Sequence, residues 1–218
     1  MKNKRILIID DHPLVREWLT NLINQQADME VCGEAENSAQ ARNAIAATQP
    51  DVAIVDISLA GGSGIDLLKD LRGLHPDLRM IVLSMHDELL YAERALRAGA
   101  RGYVMKRETT GKIVTAIREV LAGKLAVSER ISQLIAEHYV GGLPSGTESP
   151  VAALSDRELE VFQLLGRGME TKQIADELHV GLKTVQTYCA RIKEKLQLAN
   201  ASELLREAVR WEEQRQRA

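Results

Sequence analysis

The chain has 218 residues, an ordinary globular composition and a formal net charge of −3, which together exclude a wholly basic nucleic-acid coat. Its two cysteines, Cys32 and Cys189, lie far apart with no metal spacing, so both are expected as reduced thiols in a cytoplasmic protein. Only four apolar residues separate Met1-Lys2-Asn3-Lys4-Arg5 from two aspartates, so neither a signal peptide nor a membrane span is expected.

In chain order, the first half alternates strand and helix five times. Ile6-Leu7-Ile8-Ile9 is an apolar run ending in Asp10-Asp11, and Pro13 opens a helix to about Gln26. Met29, Val31 and Gly33 alternate with Glu30, Cys32 and Glu34, the pattern of a half-exposed edge strand. A helix over 38–47 precedes the run Val52-Ala53-Ile54-Val55, which ends in Asp56. Gly61, Gly62 and Gly64 mark a loop, and Ile65, Leu67, Leu68 and Leu71 a helix broken at His75-Pro76-Asp77. Met80-Ile81-Val82-Leu83 then ends in Ser84, a helix carries Leu89, Leu90, Ala95 and Leu96 to Gly99, and Gly102-Tyr103-Val104-Met105 ends in Lys106. Ile113, Ala116, Ile117, Val120 and Leu121 lie at helical spacing. This predicts an α/β doubly wound, flavodoxin-like domain over 1–122, its five-stranded parallel sheet in the order 2-1-3-4-5. Residues 123–152 read as a linker, with a helix near 128–140 capped by Ser128 (Ile131, Leu134, Ile135 and Tyr139 on one face) and a flexible Gly141–Gly146.

Residues 153–218 read as a small all-α domain of four helices. Ser155-Asp156-Arg157-Glu158 is a capping box above Leu159, Phe162 and Leu165. Gly166 and Gly168 end that helix, and Thr171 is expected to cap a short second one with Ile174, Ala175 and Leu178. A turn at His179-Val180-Gly181 leads to a third helix with Val185, Cys189, Ile192 and Leu196 inward. A fourth runs from Ala201 to about Arg215 with Leu204, Leu205, Val209 and Trp211 apolar. Two helices about a short turn, the second basic on its outer side, form a helix-turn-helix.

The strand ends carry the chemistry. Neighbouring strands lie about 4.8 Å apart, so Asp10, Asp11 and Asp56 converge where the strand order reverses. Three carboxylates that close need a hard cation, and Mg²⁺ suits carboxylates, waters and phosphate oxygens. A carboxylate can attack phosphorus to form an acyl phosphate, and Asp56, alone at the end of the central strand, is the expected nucleophile. Asp10 and Asp11 would hold the metal, Lys106 would neutralise phosphoryl oxygens and Ser84 would donate a hydrogen bond to one. The five histidines, His12, His75, His86, His138 and His179, show no ligand spacing and read as surface or capping residues.

These residues carry a resemblance. The chain resembles two-component response regulators of the NarL/LuxR type in Asp10-Asp11-His12-Pro13-Leu14-Val15-Arg16, in Asp56 with Gly64 eight positions on, in Ser84 and in Gly102-Tyr103-Val104-Met105-Lys106. By that resemblance Asp56 accepts phosphate from a sensor histidine kinase, the backbone carbonyl of Ser58 joins Asp11 and Asp56 as metal ligand, and Ser84 and Tyr103 form a coupled switch. It implies no enzyme activity beyond self-phosphorylation and autodephosphorylation. Ala60 departs from the proline often found there.

The C-terminal half resembles the LuxR-type helix-turn-helix in Leu154-Ser155-Asp156-Arg157-Glu158-Leu159-Glu160-Val161, Lys172-Gln173-Ile174-Ala175 and Lys183-Thr184-Val185-Gln186-Thr187-Tyr188, continuing through Arg191 to Leu196. Recognition helices read bases mainly through their N-terminal residues, which assigns Gln186 and Thr187 to bases and Ala190 to a thymine methyl. Lys172, Lys183, Thr184, Tyr188, Arg191 and Lys195 are assigned to phosphates. Gln186 stands where the family commonly has lysine, and glutamine suits adenine N6/N7. Phosphorylation is expected to free this module for a homodimer on double-stranded DNA.

Two rivals come from other classes. An aspartyl-phosphate phosphatase would place a second acid two residues after its nucleophile, where this chain has Ser58. A constitutive DNA-binding regulator would use its first domain only for protein contacts, and the intact set of Asp10, Asp11, Asp56, Ser84 and Lys106 argues against that.

Overall fold

The computed structural model describes residues 3–59, 62–108, 110–140 and 150–216. The chain divides into two compact units, Met1–Gly142 and Leu143–Ala218.

The first unit runs β1 (Lys4–Ile9), α1 (Pro13–Asn24), β2 (Met29–Ala35), α2 (Ser38–Thr48), β3 (Val52–Val55), a two-residue antiparallel pair β4 (Ser58–Leu59) and β5 (Gly62–Ser63), α3 (Gly64–Leu74), β6 (Arg79–Ser84), α4 (Glu88–Ala98), β7 (Gly102–Met105), α5 (Thr110–Leu121) and α6 (Glu129–Val140). The five long strands form a parallel sheet in the order β2-β1-β3-β6-β7. Counting only those strands, this is the expected 2-1-3-4-5. Runs such as Val52–Val55 are buried throughout because helices cover both faces of the sheet. Ile6, Ile8, Leu19, Ile23, Ile54, Ile81 and Ile117 meet in one core cluster, each worth about 1.5–3 kcal/mol of burial.

The edge strand departs from simple alternation. Pairing steps from Ile6↔Val31 to Leu7↔Gly33, so Cys32 is an extra, bulged residue whose thiol reaches the Ile6 carbonyl at 3.4 Å. Both cysteines are free. Asn37, one residue before the expected start, caps α2 by accepting from the N–H groups of Ala39 and Gln40. Ser128 caps α6 as expected, accepting from Ile131 N–H at 3.2 Å. The side chain of Tyr139, the stretch Gly141–Gly146 and the residues Ala60 and Gly61 lie outside the described residues.

The second unit holds a short 3-10 helix at Pro150–Ala153, then α7 (Asp156–Gly166), α8 (Thr171–Glu177), α9 (Leu182–Lys195) and α10 (Ala201–Gln216). Both halves of the Ser155/Glu158 capping box are made. Thr171 does not cap α8: Glu170 occupies that position and pairs reciprocally with Gln173, leaving Thr171 as the first helical residue. Leu205 is 46% exposed, and Leu204 and Ala208 face inward instead. The reason is a close crossing of α7 and α10, in which a Cβ on Gly166 would lie 2.6 Å from the Ala208 carbonyl oxygen. The ring of Phe162 on α7 sits 5.7 Å from that of Trp211 on α10, with Arg215 over the indole. Among the described residues no helix is long and apolar enough to cross a membrane.

Candidate functional site

Strand register builds the acidic pocket. Ile9 pairs with Val55, so Asp10 and Asp56, the next residue on each strand, emerge side by side at the carboxyl end of the sheet. Ser84 pairs with Met105, which places Lys106 one step beyond Ser84 on the next strand. Asp10 and Asp56 are buried, and the Lys106 ammonium bridges them, 2.7 Å from Asp10 Oδ2 and 2.6 Å from Asp56 Oδ2. Burial pushes the Asp56 carboxyl up to about 6, against the pull of Lys106 and with a further push from Asp10. Burial alone would lower Lys106, but the charges of Asp56 and Asp10 outweigh it and hold the amine above its ordinary value.

Two neighbours shape this pocket. Arg16 is buried and donates from Nη1 to the Asp10 backbone carbonyl at 2.7 Å, while its Nη2 meets Glu36 at 2.7 Å. That clamp fixes the turn from which Asp10 and Asp11 project. His12 Nδ1 lies 2.7 Å from Asp11 Oδ1 and 3.2 Å from Asp10 Oδ1. Asp10, Asp11, His12 and Asp56 each offer one possible ligand atom within 4.8 Å of the others, so His12 joins the cluster that the sequence reading built from acids alone. Asp11 Oδ1 is buried, and the His12 ring 2.7 Å away is its polar neighbour in the pocket.

The expected switch residues sit beside the pocket. Ser84 is fully buried and its hydroxyl accepts from the His86 N–H at 3.1 Å. Tyr103 is 3% exposed, its hydroxyl donating to the His86 carbonyl at 2.9 Å, and burial holds that phenol far above its ordinary value. His86 is the residue the sequence reading missed. Its ring Nε2 pairs with Ser58 Oγ at 2.8 Å and its imidazole lies 4.7 Å from the ring of Tyr91. It therefore ties the loop after Asp56, the Ser84 and Tyr103 hydroxyls and the start of α4 into one network. A histidine two residues beyond a strand-end serine carries no spacing signal, so only the fold reveals it. The Ser58 N–H faces Asp56 Oδ1 at 3.4 Å.

In the second unit, α9 is a two-sided helix. Val185 and Ile192 are fully buried and Cys189 and Leu196 half-buried, as the inward spacing predicts. Lys183, Thr184, Gln186, Thr187, Ala190 and Arg191 are exposed, Tyr188 is half-buried, and Lys172 is exposed on α8. Gly181 occupies the N-cap with no side-chain bond, leaving the first N–H groups of the helix open. His179 supplies the left-handed turn (φ 53°) and its Nδ1 meets the Asp176 carbonyl at 2.7 Å, a capping role. Lys195 differs from the other cations assigned to phosphate: its ammonium is 2.6 Å from Glu158 of the α7 capping box. Burial would raise Glu158, but Lys195 and Ser155 hold it below the usual carboxylate range.

A model of the response regulator receiver domain matches residues 6–118, more than half of the chain, and one of bacterial regulatory proteins of the luxR family matches residues 152–208. The chain belongs to the response regulators. This response regulator joins a receiver to a LuxR-type DNA-binding domain and acts in transcription regulation. It is 33% identical over 210 residues to the oxygen regulatory protein NreC of Staphylococcus carnosus, covering 94% of this chain and 97% of that one. RcsB from Salmonella enterica serovar Typhimurium, bound to the rprA promoter in the presence of the phosphomimetic BeF3−, is 27% identical with a TM-score of 0.61, over 94% of this chain and 98% of that one. A structure of two RcsB dimers bound to two parallel DNAs is also 27% identical, with a TM-score of 0.58 over 94% and 97% of the two chains.

Proposed function

We propose that this response regulator accepts a phosphoryl group on Asp56 from a sensor histidine kinase, and that the modification controls DNA binding through α9. One observation carries the reading: the buried Asp56 carboxylate lies beside Asp10 with a single ammonium, Lys106, bridging both. A bond forms between an Asp56 carboxylate oxygen and phosphorus as the bond to the donor's histidine nitrogen breaks. Lys106 neutralises the incoming oxygens and Ser84 donates to one of them. Water later attacks the acyl phosphate and restores the carboxylate. This self-phosphorylation and autodephosphorylation is the only chemistry we assign to the chain.

The donor set fits Mg²⁺. Asp10, Asp11 and Asp56 offer hard carboxylate oxygens whose candidate ligand atoms lie within 4.8 Å of one another. Asp10, Asp11, Asp56 and the backbone carbonyl of Ser58 would hold the ion, which when bound offsets the negative charge of the carboxylates and the phosphoryl group. Phosphorylation adds roughly −2 charge and three acceptor oxygens, to which Ser84 and Lys106 respond. Ser84 and Tyr103 both bond the His86 backbone, so the signal passes through their hydroxyls to the start of α4.

We assign residues 1–122 to the receiver, 123–152 to the linker, although α6 groups with the first unit, and 153–218 to DNA binding. Gln186 and Thr187 read bases, Ala190 meets a thymine methyl, and Lys172, Lys183, Thr184, Tyr188 and Arg191 hold phosphates. Lys195 reaches phosphate only by leaving Glu158. The phosphorylated protein acts as a cytoplasmic homodimer on double-stranded DNA, an assembly seen for the similar RcsB.

The test is labelling by acetyl phosphate with Mg²⁺, followed by DNA binding measured by fluorescence anisotropy. Asp56→Asn should abolish labelling and the gain in affinity that accompanies it. Undiminished labelling of the variant would refute the nucleophile. Labelling without any change in affinity would leave the receiver as a protein-interaction module.

A further inference from the structure

A cavity of about 990 Å³ runs along α4 from Leu89 to Gly99 and is walled by the loop before β6, the C-terminal end of α5, and α6. That is the upper end of the range for small-molecule sites. Its apolar lining includes Leu89, Leu96, Leu125 and Leu134. Three of these, Leu89, Leu125 and Leu134, are 37%, 48% and 42% exposed, so solvent reaches the apolar side chains of the lining.

The charges around this surface are one-sided. Arg72, Arg79, Arg97, Arg101 and Lys124 line the cavity against only Asp77 and Glu93, in a chain whose net charge is −3. Arg97 pairs with Glu93 at 2.6 Å, and Arg72 donates to the Arg97 backbone carbonyl at 2.9 Å. Arg79 also acts on Asp51 outside the lining, which leaves Arg101 and Lys124 as cations of the lining for which no ion pair is formed among the described residues. An apolar trough edged by excess cations complements a molecule that is apolar along its length and negative at one end.

We propose that this cavity binds a single-chain amphiphile with an anionic head, the chain lying between α4 and α6 and the head meeting Arg101 and Lys124. The proposal does not depend on the role of Asp56. It gives the receiver a second chemical input, because α4 begins two residues after the histidine that pairs with Ser58.

The experiment is isothermal titration of the full-length protein with monomeric dodecanoate, with dodecanol and dodecyltrimethylammonium as neutral and cationic counterparts. Saturable one-to-one binding of dodecanoate is expected, and about tenfold or weaker binding of the other two. Arg101→Glu/Lys124→Glu should weaken dodecanoate by a similar factor, and Leu134→Ser, on the opposite wall, should weaken all chain-bearing probes. Both substitutions alter exposed side chains, and circular dichroism checks that each variant is folded. No binding, equal affinity for all three heads, or unchanged affinity in the folded charge variant would overturn the proposal. So would binding to vesicles of anionic phospholipid without binding of the monomer, which would make the surface a membrane-docking face.

Discussion

A Cβ on Gly64 would lie 1.9 Å from the backbone carbonyl oxygen of Asp56. The N–H of Gly64 also donates to the Ile57 carbonyl at 2.7 Å, so α3 starts directly against the chain that presents the phosphoacceptor. Gly64→Ala should therefore push that chain aside and cost about 2 kcal/mol of stability, in the range of overpacked sites. Urea unfolding measures the cost, and the variant should also label more slowly with acetyl phosphate. A change below about 0.5 kcal/mol, the usual scatter for benign surface substitutions, would show that the loop yields freely.

Asp56 sets a pH dependence whose sign follows from burial. Its carboxyl titrates at about 6 in the folded chain against an ordinary 3.8. The native state thus holds the proton more tightly than the unfolded one. Below 3.8 the group contributes nothing; from 3.8 to about 6 stability falls as pH rises, and above 6 the full penalty stands. Asp56→Asn removes the penalty, so at pH 7.5 and without divalent metal the variant should unfold at higher temperature than the parent. The gain is at most about 3 kcal/mol, less whatever Lys106 loses with its partner, and it should vanish below pH 4. A variant less stable than the parent at pH 7.5 would contradict the assignment.

Two residues on α9 separate base reading from phosphate binding. Gln186→Ala should relax preference at one base position of each half-site, an adenine, by about 1–3 kcal/mol. Lys183→Ala should instead weaken all sequences alike and reduce the salt slope of binding by about 1. Binding measured against a randomised half-site at several salt concentrations tells the two apart. Equal loss on every sequence for Gln186→Ala would reject its role.

Lys195 should behave as a structural residue first. Its partner Glu158 is buried and serves the capping box, and the ammonium is itself part exposed, so the pair is worth about 1 kcal/mol. Lys195→Ala should lower the melting temperature of the C-terminal domain. If it leaves the salt slope of DNA binding unchanged, Lys195 makes no phosphate contact; a slope reduced by about 1 would restore that role.

The strands and their terminal groups were legible because four-residue apolar runs bounded by turn residues suit strands buried on both faces, and each run stops at a polar residue. The capping box at Ser155 was legible for a similar reason: its pattern is local. What escaped depends on approach between distant segments. Leu205 reads as a core leucine until Gly166 brings α7 so close that Ala208 takes the contact. Cys32 fits an alternating strand until the pairing with β1 makes it a bulge. Glu170 rather than Thr171 caps α8 because Gln173 lies three residues on and completes the reciprocal bonds. The pairings of Arg16, His86 and Lys195 join groups 6, 28 and 37 positions apart, and spacing along the chain signals none of them.

The contact between Phe162 and Trp211 has a practical corollary. The chain has two tryptophans, one in each compact unit: Trp18 on α1, 37% exposed, and Trp211 against Phe162. Intrinsic fluorescence therefore supplies one native lamp per half. Replacing either indole by phenylalanine would let the melting of each half be watched separately, with no dye attached.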